Sequence, residues 1–502
     1  MTNEANNSEG KSRYRSILKS TSLIGGASVL NIIIGMVRTK FVAILLGPNG
    51  VGLLGMFTQI TTLVSTVTSI GISSSGVRQV AEAVGTDDEE KIARTAIIVK
   101  RTAWITGCFG LLIMAVFSAP ISRITFYSYE YTWPIAILSI TMLTGAIAVG
   151  QSCVINGTRQ IANLAKISVI GSISGVVLSV PCFYYWGPSG IVPSLVLSSL
   201  ATLATSWWFA RKVPVKVVTL SWHDCIGDAR KLLLLGIGLM SASLVTALSG
   251  YVIRIVMLRQ FSLDDLGIYQ AAFSLSGVLV GFVLGAMGAD YYPRLTAVSG
   301  NNASVLSMVN EQSQISILLS LPGLVAMMIF APIVIQLFYA ISFVKAVPIL
   351  QWCILGVLGR VFSWPLGFVV LAKGKGRLFF ITETIGAGFH LFFVYIFCSI
   401  WGLIGAGIAF FAVYVVYTLL MLLVMRRLVG ATWTRSTLCM TLVSMSLMCL
   451  LMINCFYNKN NISLWASNVS TLIVVVFVCI RQLSKKSGFG INEMAVKLKL
   501  RY

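Results

Sequence analysis

Residues 167–210 read ISVIGSISGVVLSVPCFYYWGPSGIVPSLVLSSLATLATSWWFA, without one Asp, Glu, Lys or Arg. A helix needs roughly 20 apolar residues to cross a bilayer, and this window is about twice that length. Its middle holds the turn signal Trp186-Gly-Pro-Ser-Gly190, so it reads as two helices joined by a tight turn. Residues 384–425 repeat the design around Trp401-Gly-Leu-Ile-Gly405. Lipid offers no partner to an unpaired backbone group, so such segments must be helices or closed barrel strands. They are far too long for barrel strands.

The rest of the chain follows suit. Of its 502 residues 57% are hydrophobic and 11% charged, against about 25% charged in a soluble domain. Polar stretches are short, and no long linker separates soluble domains. The expectation is an all-α polytopic membrane protein of about fourteen spans: 20–46, 52–77, 98–119, 133–154, 167–186, 190–210, 233–258, 267–290, 313–338, 348–372, 378–400, 403–425, 436–456 and 463–481. The polar start before Lys19 does not look like a cleavable signal.

Basic residues set the orientation. With the amino terminus inside, 29 of the 37 Lys and Arg fall on the cytoplasmic side, and only Arg123, Arg259, Lys345 and Lys459 fall outside. Both termini are therefore expected in the cytoplasm of a bacterial inner membrane. The net charge of +21 is spread over many short loops, so it calls for no nucleic-acid partner. The ten cysteines show no C-x-x-C spacing and read as apolar filler.

The chain also repeats itself. Val51-Gly52 matches Leu266-Gly267, Ile170-Gly171 matches Ile385-Gly386, and the two Trp-Gly turns match, all at an offset of 215. Arg38 matches Arg254 and Arg78 matches Arg294 at an offset of 216. The implied organisation is a cytoplasmic segment at 1–19, a six-helix lobe at 20–210, a cytoplasmic linker at 211–232 and a second lobe at 233–427. A helix pair at 428–481 and a basic cytoplasmic tail at 482–502 follow. Six helices return the chain to its starting side, so the lobes run parallel, with a pseudo-twofold axis along the membrane normal. A central cavity between them is the geometry of an alternating-access carrier.

The stretch Ser22–Gly55, SLIGGASVLNIIIGMVRTKFVAILLGPNGVGLLG, resembles the opening of Wzx-type O-antigen and related polysaccharide flippases. The run RQIANLAKISVIGSISGVVLSVPCFYYWGPSGIVPSL resembles the same family, and the likeness extends over about residues 15–430. It implies membership of the superfamily that holds the MATE multidrug exporters and the lipid II flippase. It also implies a V-shaped, alternately open cavity. The implied cargo is an undecaprenyl-pyrophosphate-linked glycan, with membrane lipids around it and a polysaccharide polymerase and chain-length machinery as partners. Many such flippases stop at twelve helices, so the two extra spans leave the sugar cargo open.

Four basic residues fall inside spans: Arg38, Lys40, Arg254 and Arg360. A cation at mid-bilayer costs at least roughly 2.5–3.5 kcal/mol, so it faces a protein interior or a wet cavity. Arg360, central in its helix and followed by the kink signal Trp364-Pro365, suits the cavity or an ion pair. Arg38, Lys40 and Arg254 suit either snorkelling to the outer headgroups or the cavity, where the repeat would set Arg38 opposite Arg254. Given the family's cargo, Arg38, Arg254 and Arg360 are expected to contact the diphosphate or an anionic part of the glycan. Asp290, Glu383 and His390 are candidates for coupling by proton or sodium. The bland readings are an end cap or an Arg377 pair for Glu383 and a core position for His390. Asp87-Asp-Glu-Glu90 reads as a solvated face, and Tyr127, Tyr129, Tyr131 and Trp133 as an outer aromatic belt.

No catalytic or metal-binding constellation is visible, so the chain is not expected to be an enzyme or to hold a cofactor. A MATE-like exporter of cationic drugs would want acids in its cavity. A polysaccharide polymerase or ligase would want a large outer loop.

Overall fold

A computed structural model describes residues 2–213, 222–457 and 462–487. Part of the expected linker at 211–232, the turn carrying Lys459 and the end of the basic tail lie outside the described residues. Among those described there is no strand. The helices are α1 (Thr2–Ser69), α2 (Ile72–Val84), α3 (Glu89–Val116), α4 (Ser118–Phe126), α5 (Thr132–Leu138), α6 (Ile140–Gly157), α7 (Ile161–Trp186), α8 (Ile191–Ala210) and α9 (Trp222–Gln260). They continue as α10 (Leu263–Ala297), α11 (Asn302–Ile329), α12 (Ala331–Phe338), α13 (Ala346–Ala372), α14 (Gly376–Trp401), α15 (Ile404–Val429), α16 (Arg435–Tyr457) and α17 (Ile462–Ser487).

Among the described residues eleven helices are long and apolar enough to cross a membrane, or twelve counting the bent α10, against the fourteen spans expected. The difference has a physical cause. Gly25–Ser69 and Ile161–Ala210 each count once, at 45 and 50 residues. The first is interrupted at Gly47 (φ 66, ψ −168), just before Pro48. The second turns at Gly187.

The two Trp-Gly turns share one geometry. Gly187 has φ 54, ψ −134 and Gly402 has φ 63, ψ −147, a region open to glycine and costly for other residues. Three residues on, a Cβ at Gly190 would collide with the Cys182 carbonyl oxygen, and one at Gly405 with that of Phe397. All three pairs of positions lie 215 apart, so the repeat seen in the letters is a repeat in the backbone.

The chain divides into two compact units, Met1–Ile255 and Val256–Tyr502. In the first, α3 packs on α6, α1 on α7, and α7 on α8. Helix α3 is capped by Asp88, whose side chain accepts from the backbone N–H of Glu90 (3.0 Å) and Lys91 (3.2 Å). This gives the acidic run a capping role beyond the solvated face expected. The packing boundary, after Ile255, falls later than the repeat boundary, which opens the second lobe at residue 233, inside α9. Its residues 247–251 are tied to the first unit: Gln59 Nε2 donates to the Ala247 carbonyl (2.9 Å), and the hydroxyls of Thr125 and Tyr251 meet at 2.6 Å.

The second unit is built around α13, which packs on α10, α11 and α15. A helix apolar on every side belongs in a core, and α13 is buried along most of its length. It continues through Pro365 without interruption. Helices α16 and α17 pack on α11. Gln314 Nε2 donates to Thr437 Oγ1 (2.8 Å), and the Thr434 N–H donates to Asn310 Oδ1 (2.8 Å).

Candidate functional site

Helices α1 and α7 of the first unit run side by side. Asn31 Nδ2 donates to Ser168 Oγ at 2.6 Å. Two turns further along both helices, Arg38 reaches Gly175, where an added Cβ would sit 3.9 Å from Arg38 Nη1 and 3.9 Å from Ser198 Oγ. The glycine leaves room that any larger residue would take. The result is a pocket of about 430 Å³ between α1, α7 and α8, with Arg38, Ser168, Ser172, Gly175, Ser198 and Thr202 in its walls.

Arg38 dominates the electrostatics of this pocket. Its Nε and Nη2 atoms are buried and have no hydrogen-bond partner. The stretches 25–77, 98–129, 131–210 and 240–255 of this unit contain no Asp or Glu, so the unit's membrane-crossing stretches supply no counter-ion. Two of the pocket hydroxyls donate to the helix backbone. Ser198 Oγ donates to the Ser194 carbonyl (2.6 Å) and Thr202 Oγ1 to the Ser198 carbonyl (2.9 Å). Their protons are committed to the helix backbone. Asn31 Oδ1, beside Ser168, is a buried acceptor without a donor.

Lys40 follows on α1, half-buried, outside the pocket lining. Arg254 is buried at 8% exposure, and its Nη1 donates to the Gly250 carbonyl at 2.9 Å. Gly250 packs on Gln59, 3.1 Å from an added Cβ. Arg38 and Arg254, paired by the repeat, thus have separate surroundings in the first unit.

In the second unit, residues 353–363 of α13 are all buried except Arg360, which is exposed. Tyr414 lies within electrostatic reach of both Arg360 and Glu383. Glu383 accepts from the Tyr417 hydroxyl at 2.5 Å, a partner from α15 that sequence reasoning missed. His390 packs against Phe410, ring centroids 5.8 Å apart, with Nε2 buried and unpartnered. Asp290 is exposed and bonded by Arg294 on the next turn, at 3.0 Å. Of the aromatic residues, Tyr127, Tyr129 and Trp133 are exposed, and Tyr131 packs on Phe57 and Phe126.

An all-helical, multi-pass membrane protein with cationic side chains held among its helices is the class these features define. The chain belongs to the polysaccharide biosynthesis protein family, whose sequence pattern matches residues 17–299. It is 22% identical over 380 residues to the "Lipid III flippase" of Escherichia coli (strain K12), covering 74% of this chain and 88% of that one. It is 23% identical over 289 residues to the "Teichuronic acid biosynthesis protein TuaB" of Bacillus subtilis (strain 168), covering 56% and 58% of the two chains. Its fold is similar to that of the lipid II flippase MurJ in an inward closed conformation, with TM-score 0.69 and 14% identity over 93% of this chain and 99% of that one. It is similar also to an inward-facing multidrug resistance MATE family transporter, with TM-score 0.67 and 17% identity over 80% and 94% of the chains.

Proposed function

We propose that this chain flips undecaprenyl-pyrophosphate-linked oligosaccharide repeat units, O-antigen or a similar surface polysaccharide, from the cytoplasmic to the periplasmic leaflet by alternating access. Both termini then lie in the cytoplasm, and a polymerase and chain-length machinery take up the product. Family membership and the lipid-linked cargo named for the E. coli relative support the reading. The observation that carries it is Arg360, the one exposed side chain in a buried stretch of α13. A diphosphate moving through a low-dielectric path needs compensating positive charge. A guanidinium stays charged and can hold two phosphate oxygens at once. Arg254 and Lys40 would add to that charge. Ion coupling, by proton or sodium, falls to Glu383 and His390 in preference to Asp290, whose carboxylate is exposed and paired.

The test is a deletion strain. Loss of the gene should deplete surface polysaccharide and accumulate lipid-linked repeat units. Arg360→Ala should fail to restore the polysaccharide at wild-type expression, and Arg360→Lys should restore part of it, because charge is kept while the planar fork is lost. The fold likeness to a MATE transporter keeps one rival in play. Normal polysaccharide with new sensitivity to cationic drugs would favour that exporter.

A further inference from the structure

Helix α8 runs out through Trp207, Trp208, Phe209 and Ala210 into Arg211 and Lys212. One side of this last turn is core. Ser206, Phe209 and Ala210 are buried, the last two in a cluster with Val154 of α6 and Ile167 of α7. The other side carries two indoles and two cations. Trp207 is 45% and Trp208 59% exposed, and Arg211 and Lys212 are exposed as well. The Arg211 guanidinium carbon lies over the Trp207 ring, 3.3 Å from its centroid. Lys212 Nζ lies over the Trp208 and Phe209 rings, 5.3 Å from each centroid. Basic side chains at the end of a span ordinarily reach out to water. These two are folded back onto aromatic faces, which attract a cation. A stacked guanidinium still presents its N–H groups, in its own plane, to an acceptor. Among the described residues no carboxylate pairs with either cation.

The repeat supplies a control. At an offset of 215, Arg426 and Arg427 at the end of α15 match Arg211 and Lys212. Orientation in the membrane accounts for a basic pair kept in both units. It does not account for the tryptophans, whose counterparts are Leu422 and Leu423. Beyond the tryptophans, the exposed residues of α8 fall in one stripe, Leu197, Leu200, Ala204 and Trp208, at the three- and four-residue spacing of a single helix face. From Leu197 to Trp208 the stripe runs roughly 16 Å along the axis, about the depth of one leaflet of the hydrocarbon core. Two cations without a counter-ion thus stand at the end of an apolar stripe one leaflet long. We infer that this end of α8 holds an anionic phospholipid. Its phosphate sits between Arg211 and Lys212, its glycerol backbone on the indoles and an acyl chain along Leu200 and Leu197. A zwitterionic phospholipid brings its own ammonium and leaves the pair of cations uncompensated. A polyprenyl diphosphate brings the charge, but its chain is far longer than the stripe. The inference does not depend on the cargo and holds for a flippase or an exporter.

The experiment uses full-length protein in nanodiscs of phosphatidylglycerol and phosphatidylethanolamine, in equal amounts and with the same acyl chains. A benzoylphenylalanine photo-cross-linker replaces Leu200 in one protein. In another it replaces the counterpart Val415, exposed on α15. After irradiation, mass spectrometry of the labelled peptide counts the two lipid adducts. At position 200 phosphatidylglycerol should exceed phosphatidylethanolamine by at least about fivefold, the scale of one basic residue at an anionic surface. At position 415 the excess should be no more than about half of that. Trp207→Leu combined with Trp208→Leu copies the second unit and keeps both cations, and it should bring position 200 down to the value at 415. Arg211→Gln combined with Lys212→Gln should bring it to the bulk ratio. Should the leucine pair fail to fold, Leu423→Trp decides, since it adds an indole at an exposed position of α15 and should about double the preference at 415. The proposal is overturned if positions 200 and 415 show the same ratio, if the preference survives the leucine pair or the glutamine pair, or if Leu423→Trp changes nothing. Equal adducts of the two lipids at position 200 also overturn it, leaving ordinary contact with surrounding lipid. So does loss of the phosphatidylglycerol adduct to an equal amount of farnesyl diphosphate, which would assign the site to a polyprenyl diphosphate.

Discussion

The same place in the two repeats is open in one and filled in the other. In the first unit, Ser168, Gly175 and Thr202 line the Arg38 pocket. At an offset of 215 stand Glu383, His390 and Tyr417, and there Tyr417 reaches across to bond Glu383 at 2.5 Å. The correspondence holds in space. An added Cβ at Gly171 would meet Thr202 Oγ1 at 3.5 Å, and one at its counterpart Gly386 would meet the Tyr417 ring at 3.0 Å. One backbone design has been kept twice, with small side chains around the pocket in the first unit and a hydrogen-bonded acid–tyrosine pair in the second. The comparison also separates the roles of charge. The open copy has a base without an acid. The filled copy has an acid already satisfied by a tyrosine hydroxyl.

The turns test the shared design most severely. Gly190→Ala and Gly405→Ala each drive a methyl group into a carbonyl oxygen eight residues back in the chain. Neither oxygen can yield without opening the turn that joins two spans. Each substitution should cost about 3 kcal/mol or more and reduce membrane-inserted protein to a similar degree, measured by surface-normalised immunoblot and thermal unfolding. If one turn tolerates alanine and the other does not, the equivalence of the two backbones is lost.

The open copy can be closed next. Thr202→Tyr places in the first unit the residue that fills the second. Helix α8 should tolerate it, because the ring enters existing space. Alkylation of a Ser172→Cys thiol by N-ethylmaleimide in nanodiscs, read by peptide mass spectrometry, should then slow, because Ser172 and Thr202 line the same pocket. Unchanged alkylation in a folded Thr202→Tyr protein would mean that the tyrosine ring does not enter the space next to α8.

The backbone design was legible in the sequence and the pocket was not. Charge-free windows and paired Trp-Gly turns are local signals, and lipid forces charge-free windows of that length into helices. The offset then fixed which residues correspond. The pocket depends on what is small rather than on what is chemically marked. Gly171, Ser172, Gly175 and Ser198 read as ordinary filler until three helices bring them around Arg38. A usable signal existed: Ser168, Gly171, Ser172 and Gly175 recur at three- and four-residue spacing on the face of α7 that meets α1. Applying the offset to every polar residue would have exposed the contrast between Ser168 and Glu383. The tie between α9 and the first unit was hidden for another reason. It depends on Gln59 and Thr125 reaching residues far along the chain, and periodicity carries no such information.

The filled copy gives the smallest and most discriminating effect. Tyr417→Phe keeps the ring that packs on Gly386 and Tyr414 and removes only the hydroxyl that bonds Glu383. A carboxyl group that loses its donor without gaining water costs about 1–3 kcal/mol. Tyr417→Thr copies the open unit and also removes the ring, so it adds the cost of an unfilled cavity, in the range of about 3–5 kcal/mol known for large aromatic truncations. Thermal unfolding in nanodiscs should therefore rank wild type above Tyr417→Phe and that above Tyr417→Thr. Adding Glu383→Gln to Tyr417→Phe should recover part of the loss, because an amide is less costly than a carboxylate to leave without its donor. Equal stability of wild type and Tyr417→Phe would mean that the hydroxyl does not hold the plug together. The contrast between the two units would then rest on volume alone.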